Sequence, residues 1–165
     1  MKSTLIILAV IGLVILLYQT MYAPSASCHE GDVKPIFSPH NSEELFNLIK
    51  NAKNEIKLEV YEFSYRALAD ARERGVSVKV ILEPSVYQNN GMFNYLVNKG
   101  IDVSWASKFH NTHSKFMVVD GSIVLVGSMN WSENSMKNNR EASVIIYSKD
   151  VSKEFEGIFD SDFSQ

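Results

Sequence analysis

Two apolar runs rich in β-branched residues, Met117-Val118-Val119 and Ile123-Val124-Leu125-Val126, are separated by only Asp120-Gly121-Ser122. β-Branched side chains suit a pleated surface, and Asp-Gly is a leading turn signal because both positions accept positive φ. The segment predicts an antiparallel hairpin. With Asp120-Gly121 as its two-residue turn, Val119 faces Ser122, Lys115 faces Val126 and His113 faces Ser128. Alternation then puts His113, Lys115, Ser128 and Asn130 on one face, as direct or diagonal neighbours. An imidazole, an ammonium, a hydroxyl and an amide gathered in one patch suit an anionic phosphate.

Each of these residues also has an ordinary structural reading. Lys115 suits a solvated strand, Ser128 and Asn130 suit a strand end, and Asp120 is explained by the turn alone. The ordinary readings leave the joint spacing unexplained: H-x-K, four residues, D, six residues, then G-S-x-N, ending at Gly127-Ser128-Met129-Asn130. Two rival chemistries draw on the same side chains. His110, His113 and Asp120 could ligate a metal, but no His/Cys cluster of recognised spacing accompanies them, so neither a metal nor another cofactor is expected. A Ser-His-Asp hydrolase built on Ser128 lacks the G-x-S-x-G setting.

The spaced set resembles the signature of the phospholipase D superfamily. Lys57-Leu58-Glu59-Val60-Tyr61-Glu62-Phe63, Arg74-Gly75-Val76 and Asn130-Trp131-Ser132 look like its single-motif nuclease branch, which includes small bacterial endonucleases and the mitochondrial Zucchini-type enzyme. The likeness runs from Val33 to Phe159, with the Phe63–Arg74 segment about one helical turn shorter than in typical relatives. It implies phosphodiester cleavage through a covalent phosphohistidine without metal. His113, Lys115, Asp120 and Glu141 would form the catalytic set, and Lys115, Ser128 and Asn130 would meet the phosphate. Glu141 stands 28 residues after His113, where the family carries an acid that hydrogen-bonds the catalytic imidazole. Asp120 belongs to the motif, yet the turn makes it a bracing residue rather than a proton carrier.

The resemblance also bears on assembly and substrate. In-line displacement at phosphorus needs a nucleophile on one side and an acid on the other. The family uses two histidines, one from each motif copy. Of His29, His40, His110 and His113, only His113 begins H-x-K, and the chain is too short for two such domains. The resemblance therefore implies a homodimer with the site across a two-fold axis. Relatives of this size are mostly nucleases, which favours a non-specific endonuclease acting on DNA or RNA. A phospholipase D or cardiolipin hydrolase acting on phospholipid is the alternative. An inactive, membrane-tethered module that binds polyanions is a third, and the presence of every motif residue counts against it.

Composition sets the outer bounds. The chain has 165 residues and a net charge of −3, so no strong global field draws in nucleic acid. From Lys99 to Arg140 the balance reverses, with Lys99, Lys108, Lys115, Lys137 and Arg140 against Asp102, Asp120 and Glu133. Cys28 is the only cysteine, which excludes an intrachain disulfide. Ser25-Ala26-Ser27 lacks the aliphatic residue that usually precedes a lipidated cysteine. Residues 1–27 read as a signal peptide or membrane anchor: Lys2 precedes an apolar run from Leu5 to Tyr18. Extended to Ala23, the run could just cross a bilayer core of ~30 Å as a helix. Pro24 spoils the tidiest cleavage site, so an uncleaved anchor is favoured. Lys2 would stay cytoplasmic and residues 28–165, the phospholipase D-like phosphodiesterase domain, would lie on the far side of the membrane or be secreted.

The remaining pattern alternates strand and helix. Val33–Phe37 reads as an edge strand because Pro35 bars it from the sheet centre. A helix follows Ser42 and ends near Asn51, then come a strand at Ile56–Phe63 and a helix at Ala67–Arg74 closed by Gly75. Val76–Leu82 is a strand, Met92–Asn98 a helix capped by Gly100, and Ile101–Trp105 a strand. After the hairpin, Ala142–Tyr147 is a strand and Val151–Phe159 a helix behind Asp150. The fold class expected is α/β: a phospholipase D-like sandwich with a central mixed β-sheet flanked by helices, preceded by an N-terminal apolar helix.

Overall fold

The apolar runs meet in one seven-stranded sheet. A computed structural model describes Gly12 and residues 29–164. Its strands are β1 (Val33–Phe37), β2 (Glu55–Val60), β3 (Ser77–Leu82), β4 (Asp102–Trp105), β5 (Lys115–Val119), β6 (Ile123–Gly127) and β7 (Ala142–Tyr147). They lie in the order β1-β7-β6-β5-β2-β3-β4. Strands β2, β3 and β4 are parallel, and the others join antiparallel, so the sheet is mixed. Parallel neighbours need crossovers. Helices α2 (Ala67–Glu73) and α3 (Tyr87–Asn98) supply them, while α1 (Glu43–Asn51) links β1 to β2. Two further helices, α4 (Glu133–Lys137) and α5 (Lys149–Phe163), flank β7 in sequence.

Burial on both faces makes this a three-layer sandwich. Leu58, Met117, Leu125 and Ile145 pack with Leu45 and Ile49 of α1, Leu68 of α2 and Leu96 of α3. Ile81, Phe116, Val118 and Val124 point the other way, against Phe159 of α5. β1 is an edge strand, as Pro35 requires, and Pro35 sits opposite Val144.

The hairpin register differs from the sequence expectation. Asp120 and Gly121 do adopt positive φ, 52° and 60°, and Ser122 N–H donates to the Val119 carbonyl at 3.2 Å. The ladder nevertheless pairs Val119 with Ile123 and Phe116 with Val126, leaving Ser122 as an extra residue. A strand buried on both faces has no polar face to fix its register, so the apolar pattern cannot decide it. Contacts of the turn with β2 decide it instead. The Asp120 carboxylate accepts main-chain N–H groups from Lys53 (2.9 Å), Asn54 (2.7 Å) and Glu55 (3.0 Å), and Asp120 N–H donates to the Glu55 carbonyl at 2.9 Å.

Four other elements depart from expectation, the first being β2, which ends at Val60 rather than Phe63. α3 begins at Tyr87 rather than Met92 and runs through Asn89-Asn90-Gly91, which are poor helix formers. The fully buried Asn89 side chain overrides propensity by bonding three main-chain groups, at Tyr61, Phe63 and Glu83. α5 starts two residues earlier and runs to Phe163, capped by Ser148, whose hydroxyl accepts the Val151 N–H. α4 was not expected from the pattern, because five residues are too few to show a period. Apart from Gly12, the proposed leader and Cys28 lie outside the described residues. Among the described residues no helix is long and apolar enough to cross a membrane.

Candidate active site

The first residue of β5 brings an ammonium into the sheet. Lys115 lies opposite Val60 of β2 and is 8% exposed. Its Nζ donates to the His113 carbonyl at 2.7 Å and lies 3.2 Å from His113 Nδ1. With an ammonium donating to Nδ1, the neutral ring carries its hydrogen on Nε2. Burial pushes the Lys115 pKa below its ordinary value, and the negative charge of Glu141 pulls it partly back. Lys115 makes no ion pair with a described carboxylate at contact distance.

His113 is exposed, just outside the strand, and an aromatic ring faces it. The Tyr61 ring centroid is 4.5 Å from that of His113, at 57°, and Lys115 Nζ lies 5.3 Å from the Tyr61 centroid. One ring thus adjoins both the imidazole and the ammonium. The sequence reading did not single out Tyr61. β2 runs antiparallel to β5 with Val60 opposite Lys115, so the residue after Val60 falls beside the residues before Lys115. That pairing is non-local and leaves no mark in the sequence.

The G-S-x-N run makes a second cluster. An added Cβ on Gly127 would run into Ser143 and the Ala142 carbonyl, so only glycine lets β6 approach β7 this closely. Close approach brings Ser128 N–H to the Ala142 carbonyl (2.9 Å) and Ser128 Oγ to the Ala142 N–H (3.1 Å). The Ser128 hydroxyl donates to Glu141 Oε2 at 2.5 Å, and Asn139 Nδ2 donates to Oε1 at 3.2 Å. The Glu141 main chain is pinned in turn by Ser38, whose Oγ accepts its N–H at 3.0 Å. Asn130 Oδ1 is buried and has no hydrogen-bond partner among the described residues. The next residue, Trp131, donates its N–H to the Glu62 carbonyl at 3.0 Å, which brings this run alongside the segment that carries Tyr61.

The expected residues therefore divide. His113 and Lys115 touch each other, and Ser128 touches Glu141. The Glu141 carboxylate meets the Ser128 hydroxyl and not the His113 ring, contrary to the expected Glu141–imidazole bond. The cause is local: Glu141 directly precedes Ala142, and Ala142 pairs with Ser128. Asp120 lies at the opposite end of β5 with its oxygens engaged by main-chain amides. A cavity of ≈ 450 Å³ opens beside His113 and Lys115, walled on its apolar side by Phe116, Val126, Phe155 and Ile158. A second, of ≈ 480 Å³, lies by Asp120 and Tyr147, away from the motif histidine. Among the described residues no three His, Cys, Asp or Glu side chains come together as a metal site.

A mixed α/β sandwich with an H-x-K histidine and a G-S-x-N run at one sheet end defines a class. Residues 45–163 match the family model described as cardiolipin synthase, PLD-like domain, and the chain belongs to the phospholipase D-like family. It is 31% identical over 138 residues to mitochondrial cardiolipin hydrolase of Mus musculus, covering 76% of this chain and 62% of that one. The chain thus spans about three-fifths of that relative's length. Among solved structures, the phospholipase D family member Nuc from Salmonella typhimurium superposes with a TM-score of 0.76 at 27% identity, covering 82% of this chain and 96% of that one. NucT from Helicobacter pylori has the same fold, with a TM-score of 0.68 at 22% identity over 81% of this chain and 97% of that one.

Proposed function

We propose that this chain is a phosphodiesterase, and more narrowly a non-specific endonuclease acting on DNA or RNA. The observation that carries the reading is Lys115: a buried ammonium, bonded to His113 and without a contact carboxylate, is a seat for an anion. A phosphate entering there competes for Lys115 and for the Ser128 hydroxyl. Drawing Lys115 from Nδ1 lets the ring move its hydrogen to that nitrogen and bare Nε2 for attack. Drawing Ser128 from Glu141 leaves the carboxylate available to the Nδ1–H. His113 Nε2 then bonds phosphorus as the ester P–O bond breaks, and the leaving oxygen takes a proton. We assign that proton to His113 of a second copy, in a homodimer, since one chain brings one motif histidine. Water then attacks phosphorus, its proton passing to the now neutral His113 of the second copy, and the P–N bond breaks to restore the first imidazole. Asn130 would meet the phosphate through its donating Nδ2, leaving its unpartnered acceptor Oδ1 for a donor of the substrate or of the motif loop.

A second reading has its own support. The apolar wall of Phe116, Val126, Phe155 and Ile158 beside His113 would take the apolar part of a phospholipid, and the Mus musculus relative is named a cardiolipin hydrolase. In either reading the leader would anchor the domain on the non-cytoplasmic side. The deciding experiment offers the full chain single- and double-stranded DNA, RNA and cardiolipin vesicles side by side, each with and without EDTA. Cleavage of nucleic acid that resists EDTA, with vesicles untouched, supports the endonuclease. Vesicle hydrolysis alone replaces it with the lipid reading, and loss on chelation restored by zinc or magnesium overturns the phosphohistidine route.

A further inference from the structure

The loop that delivers His113 is held by a carboxylate outside the motif. Glu83 follows the last residue of β3, precedes Pro84, and is 2% exposed. Its Oε2 accepts the Thr112 N–H at 2.7 Å, and its Oε1 accepts the Ser85 N–H at 3.0 Å. Thr112 is itself buried and directly precedes His113. Burial alone would raise the Glu83 pKa. The hydrogen bonds from Ser85 and Thr112, with His110 nearby, outweigh it and hold the carboxyl below its ordinary value.

The same short stretch also holds the ring that faces the imidazole. Asn89 Nδ2 donates to the Glu83 carbonyl at 2.8 Å and to the Tyr61 carbonyl at 2.8 Å, and its Oδ1 accepts the Phe63 N–H at 3.0 Å. Residues 83–89 thus grip both partners of the Tyr61–His113 contact, one through Thr112 and the other through Asn89. An ionised group out of water is costly unless its oxygens are engaged, and both Glu83 oxygens are, one by the Ser85 N–H and the other by the Thr112 N–H that leads into His113.

We propose that Glu83 is a positioning residue for His113, its carboxylate fixing the Thr112–His113 backbone against the Tyr61 ring held by Asn89. The inference rests on His113 being the attacking group. Glutamine at 83 would turn one acceptor into a donor facing an N–H group, so the loop would shift. A displacement near 1 Å can cost about a hundredfold in rate.

The test uses the full chain and bis(4-nitrophenyl) phosphate, with His113→Ala as control. The His113 imidazole titration and the Thr112 amide shift are followed by NMR. Glu83→Gln should lower kcat roughly ten- to a hundredfold with KM changed less than about twofold, and move the Thr112 amide and the His113 titration. Glu83→Asp, which keeps the charge on a shorter arm, should lie between glutamine and wild type, several-fold below the latter. A folded Glu83→Gln with lowered melting temperature but unchanged kcat and His113 titration overturns the proposal and leaves Glu83 a structural residue. Should Glu83→Gln not fold, Glu83→Asp with wild-type kcat and titration overturns it equally. Activity surviving in His113→Ala sinks the reading of His113 instead. An inactive His113→Ala beside a fully active Glu83→Gln sinks only the inference about Glu83.

Discussion

At the turn end of β5, the Asp120 carboxylate receives three main-chain N–H groups, from Lys53, Asn54 and Glu55. At the other end, the Lys115 ammonium is nearly as buried as the core around it and, among the described residues, has only the carbonyl and ring of the adjacent His113 as hydrogen-bond partners. Both are charged groups of one sequence motif, one the first residue of a five-residue strand and the other the residue just after its end. The first is satisfied by the backbone and stabilises the sheet. The second keeps binding capacity in reserve at a cost in desolvation. Motif membership therefore does not by itself mark a group as chemical. The state of its hydrogen bonds separates brace from site.

The sharpest way to break this contrast is His113→Ala. Turnover should fall by at least about a thousandfold while the melting temperature stays within about 2 °C. Turnover on nucleic acid and calorimetry check it, and substantial activity in nuclease-free protein would remove the proposed chemistry. Lys115→Met comes next. It should reduce turnover by about a hundredfold or more yet raise the melting temperature by about 2–4 °C, since it removes an uncompensated buried charge. A loss of stability instead would mean that Lys115 is a brace after all.

Asp120→Asn should do the reverse. It leaves kcat within about twofold and costs about 2 kcal/mol, or roughly 4–8 °C, because an amide nitrogen would face main-chain N–H groups. A rate loss larger than that of Lys115→Met would reverse the division of roles. The smallest effect concerns Glu59 of β2, which is 3% exposed with Oε2 buried and unpartnered. Burial pushes its pKa up from 4.5, opposed by a Ser114 hydrogen bond, raised further by Asp162 and lowered by Lys108. A raised folded pKa stabilises fully below the unfolded value and is lost as pH rises through the folded value. Glu59→Gln should therefore raise the melting temperature by about 1–2 °C at pH 7.5 and leave it unchanged near pH 4. An equal shift at both pH values would show that Glu59 does not titrate in this range.

Much of the fold was legible because local signals marked it. Pro35 sent its strand to an edge, and the Asp-Gly turn appeared with positive φ at both residues. For the candidate site, the sequence offered residues to look for but not their geometry. The register slipped by one because no polar face fixed it, and Glu141 went to Ser128 because β7 aligns there. Tyr61 and Asn89 left no local trace, since each acts through a pairing of segments far apart in the chain. Glu83, an acid between an apolar strand and Pro84, was the one visible oddity.

Gly127 has a consequence for any survey of tolerated substitutions. The room for its missing side chain is already filled by Ser143 and the Ala142 carbonyl. Every replacement, alanine included, must push β7 outward and carry Glu141 away from Ser128 with it. Position 127 should therefore look as unforgiving as position 113, although it has no group to donate, accept or attack. The two forms of intolerance separate only when amount and activity are scored apart: substitutions at 113 leave protein without turnover, whereas substitutions at 127 deplete the protein itself.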